Sequence, residues 1–249
     1  MNQTERLAAT LHAKTPGFRR KVEASTMIVE DALQRSGNPY VAFSAGKDSD
    51  VVLHLVRTVS PAAVAVWSDD EWNLPETIER VANVENLHKI AAKVQHAEWF
   101  TSWDGERRPD PDTVWVDAPA NNGLQTFAKL NKYDGVFIGL RAEENARRKM
   151  HLRTHGFCFW AKGDGLWQCN PIAWWSVMDV WAYITLHGIP YNTAYDRLSA
   201  LGVPLEQQRI GPFAVERVLG YGQLSLLKRG WPELFNQFAA KYPEARSYV

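Results

Sequence analysis

Short apolar runs alternate with amphipathic segments between residues 39 and 153, and this alternation is the strongest structural signal in the chain. The runs lack the apolar–polar alternation of a half-exposed strand, so they are typical of strands covered on both faces. They lie at 39–44, 63–67, 88–94 and 134–140. Such runs joined by helices predict a doubly wound, mainly parallel α/β sheet of about five strands, with helices on both of its faces.

The intervening segments have helical periodicity and helix-ending residues. Gly37 and Gly188 each follow a periodic stretch, and Pro75 suits a first helical position. A helix is predicted in each of the segments 17–37, 48–59, 75–87, 121–132, 141–153 and 176–188. The apolar sequences FCFW and LWQC flank AKGDG, which predicts a small β-hairpin over 157–169. The Gly-, Pro- and Asp-rich segment 101–113 predicts an exposed loop.

The same pattern divides the chain into three parts. An N-terminal helical segment is predicted over 1–38, and an α/β domain over 39–212. A helical C-terminal extension is predicted over 213–249.

Composition narrows the class of protein. The chain has 249 residues, of which 45% are apolar and 22% charged, as in an ordinary globular protein. Its formal net charge is zero, so nucleic-acid binding by the whole surface is not expected, although a local patch could present a nucleic-acid acceptor. No run approaches the ~20 apolar residues of a membrane span, and no signal-peptide run is present, so we expect a cytoplasmic protein without a membrane partner. The two cysteines, Cys158 and Cys169, are too few for a four-cysteine iron–sulfur cluster.

The first predicted strand is followed by SAGKDS, which has the composition of a phosphate-binding loop. Three small residues, Ser44, Ala45 and Gly46, allow the backbone to approach a ligand closely. The helix that follows directs its free N–H groups and a partial positive charge at the turn. Lys47 adds a full positive charge, and Ser49 adds a hydroxyl group.

This loop differs from the common nucleotide loop Gly-x-x-x-x-Gly-Lys-Ser/Thr. That pattern requires a glycine where Val41 stands and a hydroxyl residue where Asp48 stands. A carboxylate beside a phosphate predicts an intervening cation, so Asp48 is a candidate Mg²⁺ ligand. The alternative is that Asp48 only caps the helix.

Residues that follow the other strands are candidates too, because parallel sheets bind ligands at the carboxyl ends of their strands. Ser68 and Asp69 follow the second run, although they could also form a simple turn. The sequence GLRAEENARR begins at Gly139 and follows the last run. Its arginines suit phosphate or sulfate, which they bind by paired hydrogen bonds, and its glutamates could orient them. The alternative is a solvated helix with an i,i+4 pair between Glu144 and Arg148.

Four motifs resemble those of the PP-loop ATP pyrophosphatases, and within them the phosphoadenosine-phosphosulfate (PAPS) reductase-like family. SAGKDS is similar to the family's Ser-Gly-Gly-Lys-Asp-Ser loop, with Ala45 in place of a glycine. GLRAEENARR resembles Gly-x-Arg-x-Glu-Glu-Ser-x-x-Arg, with Asn145 in the serine position. NPIAWWSVMDVWAYITLHGIPYN resembles Pro-Ile-x-x-Trp…Asp-Val-Trp-x-Tyr-Ile…Pro-Tyr-Asn. RIGPF resembles Ser-Ile-Gly-Cys, with Arg209 and without the cysteine.

The resemblance covers about 39–212 and implies an adenine nucleotide α-hydrolase-like fold with a nucleotide site. ATP, PAPS or adenosine phosphosulfate (APS) would be the substrate, with Mg²⁺ held by Asp48. The catalytic residues would be Lys47, Arg141 and Arg148. The implied nucleotide-binding residues are Ser44, Ala45, Gly46, Lys47, Asp48, Ser49, Ser68, Asp69, Gly139, Arg141, Glu144 and Arg147.

The resemblance also bears on the reaction. The superfamily cleaves ATP between the α and β phosphates and usually adenylates an acceptor. PAPS reductases instead use a cysteine near the C-terminus, and the final stretch here, FAAKYPEARSYV, contains none. The sequence therefore favours an ATP pyrophosphatase that adenylates an acceptor.

Two alternatives stay open. One is a sulfonucleotide reductase or sulfotransferase-like enzyme that uses a partner's thiol, and the other is a nucleotide-binding subunit without turnover. The family also takes in the ATP sulfurylase small subunit, so a GTPase subunit, a thiol donor or an acceptor enzyme could be the protein partner. A homo-oligomer is expected.

Overall fold

A seven-stranded sheet forms the centre of the molecule, in the order β4-β3-β2-β1-β5-β7-β6. The computed structural model describes residues 1–69, 72–94, 112–119, 122–211 and 223–249. Neighbouring strands are parallel except β6 and β7, which are antiparallel. The strands are β1 (Pro39–Ala42), β2 (Val64–Asp69), β3 (Leu87–Val94), β4 (Val114–Pro119), β5 (Gly135–Phe137), β6 (Cys158–Ala161) and β7 (Leu166–Cys169).

Helices connect these strands and extend the chain at both ends. They are α1 (Gln3–His12), α2 (Pro16–Arg35), α3 (Lys47–Val59), α4 (Pro75–Ala82), α5 (Gly123–Leu130), α6 (Ala146–His155), α7 (Val177–His187), α8 (Ala194–Ala200), α9 (Gln223–Gly230) and α10 (Pro232–Lys241). Short 3₁₀ turns lie at Ala142–Glu144, Leu205–Gln207 and Pro243–Tyr248. Within the described ranges, no helix is both long and apolar enough to span a bilayer.

Side chains cover both faces of the sheet, as the unbroken apolar runs predict. Successive residues of a strand point to opposite faces, so neighbours along β1 enter different cores. Val41 belongs to the larger core, together with Val51 of α3 and Val180 of α7. Tyr40 belongs to the smaller core, together with Phe127 of α5. The predicted doubly wound α/β fold with a mainly parallel sheet is confirmed.

The order of the strands places β1 between β2 and β5, both of which run parallel to it. The chain passes from β1 through α3 to β2 on one side and later returns to β5 on the other side. The carboxyl ends of three strands therefore meet at one edge, at the point where their connections diverge. Sheets of this kind form a ligand crevice at that point. The three segments singled out as candidates follow these three strands.

The sheet has more strands than the pattern of apolar runs predicts. Strand β4 was not predicted, since its sequence VWVDAP is interrupted by a polar residue and ends in proline. The predicted hairpin exists, but it is part of the main sheet, because β7 pairs with β5. The run at 134–140 contains the shorter strand β5. The predicted loop at 101–113 lies outside the described residues, apart from its last two.

The predicted helix at 141–153 is also wrong as a continuous element. A 3₁₀ turn at Ala142–Glu144 is followed by a break, and α6 begins only at Ala146. Asn145 causes the new start, because its side chain accepts a hydrogen bond from the N–H of Arg148 at 2.8 Å. The break keeps the residues next to β5 on a turn, where they can face the carboxyl edge of the sheet.

Candidate functional site

The loop after β1 has a backbone shape that few side chains adopt. Ala45 has a φ of 56°, in the left-handed region that favours glycine. Gly46 follows as the residue that precedes α3, with φ −88° and ψ 155°, and no side chain caps the helix. Gly46 therefore leaves the first N–H groups of α3 to other acceptors at the loop.

Hydroxyl groups accept hydrogen bonds from three N–H groups of this loop. The N–H of Ser44 donates to Ser49 Oγ at 3.2 Å, and that of Gly46 donates to Ser44 Oγ at 3.4 Å. The N–H of Lys47 donates to the hydroxyl of Tyr195 at 3.2 Å. These bonds are longer than the usual 2.9–3.0 Å, whereas bonds to an anionic oxygen are shorter and stronger. The loop can therefore exchange weak acceptors for the oxygens of an anion.

Two cations and a carboxylate meet at the start of α3. Asp48 Oδ2 accepts a hydrogen bond from Lys47 Nζ at 3.0 Å, and Asp48 Oδ1 accepts one from Arg141 Nε at 2.6 Å. The side chains of Lys47 and Arg141 are 6% and 5% exposed. Burial alone would raise the pKa of Asp48, but the charges of Lys47 and Arg141 outweigh it and lower that pKa. Burial lowers the pKa of Lys47, and the ion pair with Asp48 opposes this change.

Arg141 is held in place by residues from two other parts of the site. Its Nη1 donates to Glu143 Oε2 at 2.6 Å and to the carbonyl oxygen of Trp175 at 3.4 Å. The same Glu143 oxygen accepts the N–H of Val177, the first residue of α7, at 2.6 Å. Glu143 therefore orients Arg141 and joins it to α7, which leaves the guanidinium group little freedom.

Gly139 allows the end of β5 to lie against the first turn of α3. A Cβ atom at this position would stand 3.0 Å from the carbonyl carbon of Asp48 and 3.1 Å from its oxygen. Both are backbone atoms, so they cannot move aside as a side chain can. The structure thus gives Gly139 a packing role, and its predicted contact with a nucleotide stays a prediction.

The remaining predicted residues lie on the turn after β5, on α6 and at the end of β2. Arg148 forms an ion pair with Glu144, as the i,i+4 alternative predicts, and Arg209 Nη1 lies 3.7 Å from Glu144 Oε1. Arg147 is exposed on α6. Asp69 Oδ1, at the end of β2, accepts a hydrogen bond from the side chain of Asn73 at 2.7 Å, and Ser68 beside it is half-buried. The structure therefore brings together Lys47, Asp48 and Arg141, while Arg147, Arg148 and Glu144 form a neighbouring charged turn and helix.

Tyr195 is a site residue that the sequence did not identify. It lies on α8, is 2% exposed, and has its ring 5.2 Å from Lys47 Nζ. Burial raises the pKa of its hydroxyl group, which therefore stays neutral. Trp181 packs edge-on against it at 5.4 Å, which fixes the ring. Tyr195 lies three residues beyond the end of the third motif, and this position is the signal in the sequence that could have identified it.

Asp50 and Arg80 form a second buried pair that the sequence did not reveal. Arg80 Nη2 lies 2.7 Å from Asp50 Oδ1, and their side chains are 11% and 0% exposed. Asp50 Oδ2 has no hydrogen-bond partner among the described residues. Burial raises the pKa of Asp50 to about 7, although Arg80 opposes the change. The pair joins α3 to α4, the helix that follows β2.

The residues around Asp48 do not fit a metal ion in this arrangement. Both carboxylate oxygens already accept hydrogen bonds from cations. In the described part of the chain, no group of three His, Cys, Asp or Glu side chains could hold a metal ion. Asp48 thus acts as counter-ion to Lys47 and Arg141, and Mg²⁺ binding by Asp48 stays a prediction.

Comparison with known proteins agrees with the four motifs. The family model described as "Phosphoadenosine phosphosulfate reductase domain" matches residues 38–212. The chain is 24% identical over 207 residues to phosphoadenosine 5′-phosphosulfate reductase of Enterobacter sp., covering 78% of this chain and 80% of that relative. It is 27% identical over 207 residues to sulfate adenylyltransferase subunit 2 of Sulfurimonas denitrificans, covering 71% of this chain and 66% of that relative.

Two further comparisons concern length and fold. An uncharacterised protein of Methanocaldococcus jannaschii is 29% identical over 207 residues, which is 80% of this chain and 40% of that relative. The chain thus spans less than half the length of this relative. The crystal structure of phosphoadenylyl-sulfate reductase from Candida auris, a phosphate complex, superposes with a TM-score of 0.54 at 19% identity. The match covers 76% of this chain and 88% of that chain, which shows a shared fold.

Proposed function

The chain belongs to the phosphoadenosine phosphosulfate reductase domain family, and we propose that it is an enzyme that cleaves ATP between the α and β phosphates and adenylates an acceptor. The supporting observation is the convergence of Lys47 and Arg141 on Asp48. Two nearly buried cations at the edge where three strand ends meet form a site for a polyphosphate. The relative named sulfate adenylyltransferase subunit 2 supports this reaction class.

In the proposed reaction an oxygen of the acceptor attacks the α phosphorus of ATP. A new phosphorus–oxygen bond forms, the bond to the β phosphate breaks, and pyrophosphate leaves with the bonding electrons. Lys47 and Arg141 neutralise the charge on the leaving pyrophosphate, and the loop N–H groups donate to phosphate oxygens. Arg148, which forms an ion pair with Glu144, would bind an anionic acceptor after this ion pair opens. No side-chain nucleophile is required, because positioning and charge stabilisation supply the catalysis.

A sulfonucleotide enzyme is the second candidate. It is favoured by relatives named PAPS reductase and adenosine 5′-phosphosulfate reductase. In that case Arg147 or Arg153 of α6 would bind a 3′-phosphate, and a partner protein would supply the thiol. A non-catalytic nucleotide-binding subunit is the third candidate, because one relative is by its name a subunit of a larger enzyme.

Nucleotide binding separates these candidates. Thermal denaturation and calorimetry are measured with ATP, APS, PAPS and adenosine 3′,5′-bisphosphate, each with and without Mg²⁺. A ligand at about 100 times its Kd stabilises the fold by about 2.7 kcal/mol, which is readily measured. We expect the largest stabilisation with ATP. A preference for the 3′-phosphorylated ligands would favour the sulfonucleotide enzyme.

Release of pyrophosphate from ATP tests the reaction itself. Replacing Lys47 by Ala should abolish the release and weaken ATP binding about tenfold or more, equal to ~1.4 kcal/mol. Lys129→Ala is the matched control, because this lysine is exposed on α5, and it should behave as the wild type. Pyrophosphate release that Lys47→Ala leaves unchanged overturns the proposal. ATP binding without release, with or without cell extract, indicates the non-catalytic subunit.

A further inference from the structure

The two cysteines face each other across the β-hairpin. Cys158 of β6 and Cys169 of β7 are direct partners in the antiparallel ladder. The neighbouring pair is hydrogen-bonded, since the N–H of Asn170 donates to the carbonyl oxygen of Phe157 at 2.7 Å. Hydrogen-bonded and non-hydrogen-bonded pairs alternate, so the cysteines form a non-hydrogen-bonded pair, with Cα atoms ~4.5 Å apart. A disulfide requires a Cα separation of about 4.4–6.8 Å, so the backbone is already in range.

The side chains point to the same face and contact each other. Cys169 Sγ donates to the carbonyl oxygen of Ile28 in α2 at 4.0 Å, and the Cys158 thiol is close enough to Cys169 for each group to shift the pKa of the other. Cys158 is half-buried and reachable from solvent, whereas Cys169 is 2% exposed. The pair is therefore asymmetric, with one accessible thiol and one buried thiol.

The surroundings add to this asymmetry. The neighbouring Cys169 thiol lowers the pKa of Cys158, burial and the carboxylate of Asp31 oppose the change, and the positive charge of Arg35 lowers it further. The hydrogen bond with Cys158 and burial both raise the pKa of Cys169. A thiolate reacts far faster with a disulfide than a thiol does, so Cys158 is the group that reacts first.

We propose that Cys158 and Cys169 form a thiol–disulfide exchange site, which a small disulfide such as oxidised glutathione converts to a cross-strand disulfide. The Cys158 thiolate attacks one sulfur of the small disulfide, forms a mixed disulfide and releases one thiolate. Cys169 then attacks the Cys158 sulfur, gives its proton to the leaving thiolate, and closes the protein disulfide. In sum, two protein thiols lose two electrons and two protons, and one small disulfide becomes two small thiols.

The proposed exchange at Cys158 and Cys169 does not depend on the proposed reaction at Lys47. The two cysteines are nevertheless connected through the chain to the residues that hold Arg141. The carbonyl oxygen of Cys169 accepts the N–H of Ile138 at 2.9 Å, directly before Gly139. Six residues after Cys169, the carbonyl oxygen of Trp175 accepts a hydrogen bond from Arg141. A disulfide would therefore restrict the motion of the end of β7, which is followed in the chain by the segment that binds Arg141.

Mass spectrometry of the whole, folded chain tests the proposal. The protein is treated with oxidised glutathione, and free thiols are counted by alkylation before and after unfolding. We expect the wild type to lose both thiols and to fall in mass by two hydrogen atoms, without a glutathione adduct. Cys169→Ser should trap a stable glutathione adduct on Cys158. Cys158→Ser should stay unmodified while folded, because Cys169 is buried.

Several results would overturn the assignment. One is a folded wild type that keeps both thiols free while the unfolded chain reacts under the same conditions. Another is a disulfide between two chains, or a stable glutathione adduct on the wild type. Faster modification of Cys158→Ser than of Cys169→Ser would reverse the order of attack. Circular dichroism of both variants, with Cys169→Ala as a second substitution, shows whether they fold.

Discussion

At the residue scale, the site depends on two positions where the backbone is constrained. Ala45 adopts a left-handed conformation that costs a non-glycine residue about 1–2 kcal/mol, and it does so at the loop that faces the ligand edge. A Cβ atom at Gly139 would stand 3.0 Å from the backbone of Asp48, so a side chain there would push the two segments apart. Both constraints set the distance between the loop after β1 and the turn that carries Arg141. Small substitutions here should therefore act on binding as well as stability.

The substitution Gly139→Ala tests this constraint. The new methyl group would stand 3.0 Å from the backbone of α3 and force it to shift, so we expect a loss of about 1–3 kcal/mol in the free energy of unfolding and weaker ATP binding. Urea denaturation and calorimetry measure the two effects. Gly163→Ala is the matched control, because a Cβ atom there meets no atom within 4 Å. Equal stability of the two variants would contradict the packing role of Gly139.

The buried carboxyl of Asp50 predicts a dependence of stability on pH. Its folded-state pKa of about 7 lies above the ordinary value of 3.8, so the folded protein binds the extra proton. Its contribution to stability is therefore complete below about pH 4 and is lost as the pH rises through 7. The loss amounts to at most about 1.4 kcal/mol per pH unit.

The variant Asp50→Asn isolates this effect. It removes the titrating group, so the difference in unfolding free energy between wild type and variant should move in favour of the variant as the pH rises from 4 to 7. Urea denaturation of both proteins at a series of pH values measures the difference. A difference that does not change with pH would show that folding does not raise the pKa of Asp50.

At the scale of elements, α7 connects the N-terminal helices to the site. Asp179 in its first turn accepts hydrogen bonds from His12 at 2.7 Å and Lys21 at 2.5 Å, and from the N–H of Ser176 at 2.6 Å. The carbonyl oxygen of Trp175, the residue before Ser176, accepts a hydrogen bond from Arg141. The start of α7 thus holds α1, α2 and the site arginine in one arrangement. Asp179 orients and packs, and the described geometry gives it no contact with Lys47 or Arg141.

Replacing Asp179 by Asn should destabilise the fold by about 1–3 kcal/mol. The substitution removes the charge that contacts Lys21 and turns one of two acceptor oxygens into an N–H donor, in a side chain that is 2% exposed. Thermal or urea denaturation measures the loss. Asp31→Asn is the control, since its i,i+4 pair with Arg35 is about half exposed and should contribute less than ~0.5 kcal/mol. Similar effects of the two substitutions would show that the contacts of Asp179 are not important for stability.

At the scale of the whole molecule, the N-terminal helix is part of the same core as the sheet. Ala9 and Ala13 belong to the larger core cluster and are 0% and 6% exposed. Glu5 accepts a hydrogen bond from Ser199 at 2.9 Å, and Arg6 donates one to Tyr191 at 2.9 Å. These contacts join α1 to α8 and to the segment between α7 and α8, and α8 carries Tyr195. The division of the chain at residues 38 and 212 stays a prediction.

Deleting residues 1–13 should therefore lower stability by roughly 2–4 kcal/mol, because buried apolar surface on α7 becomes exposed. Circular dichroism during thermal unfolding measures the change. The double variant Leu7→Ala/Leu11→Ala is the control, since these side chains of α1 are 60% and 58% exposed and should have little effect. An unchanged unfolding midpoint after the deletion would contradict the role of α1.

The sequence by itself determined the fold class, the strands β1, β2, β3 and β5, and the segments that carry the site. It could do so because buried strands, helix periodicity and loop composition are local properties of the chain. The same reasoning missed the edge strand β4, because its aspartate and its proline interrupt the apolar pattern expected of a buried strand. The same reasoning also predicted the hairpin as a unit separate from the main sheet, because no local pattern indicates that β7 pairs with β5.

Only the tertiary structure decided how the candidates meet. Asp48 and Arg141 are far apart in the chain, and their 2.6 Å contact follows from the adjacency of β1 and β5. The hydroxyl of Tyr195 reaches the loop from α8, and Cys158 faces Cys169 through the register of the hairpin. Such contacts depend on strand order, register and helix packing, which arise from the burial of the whole chain. The local sequence determines which side chains are available, and the packed fold determines which of them come into contact.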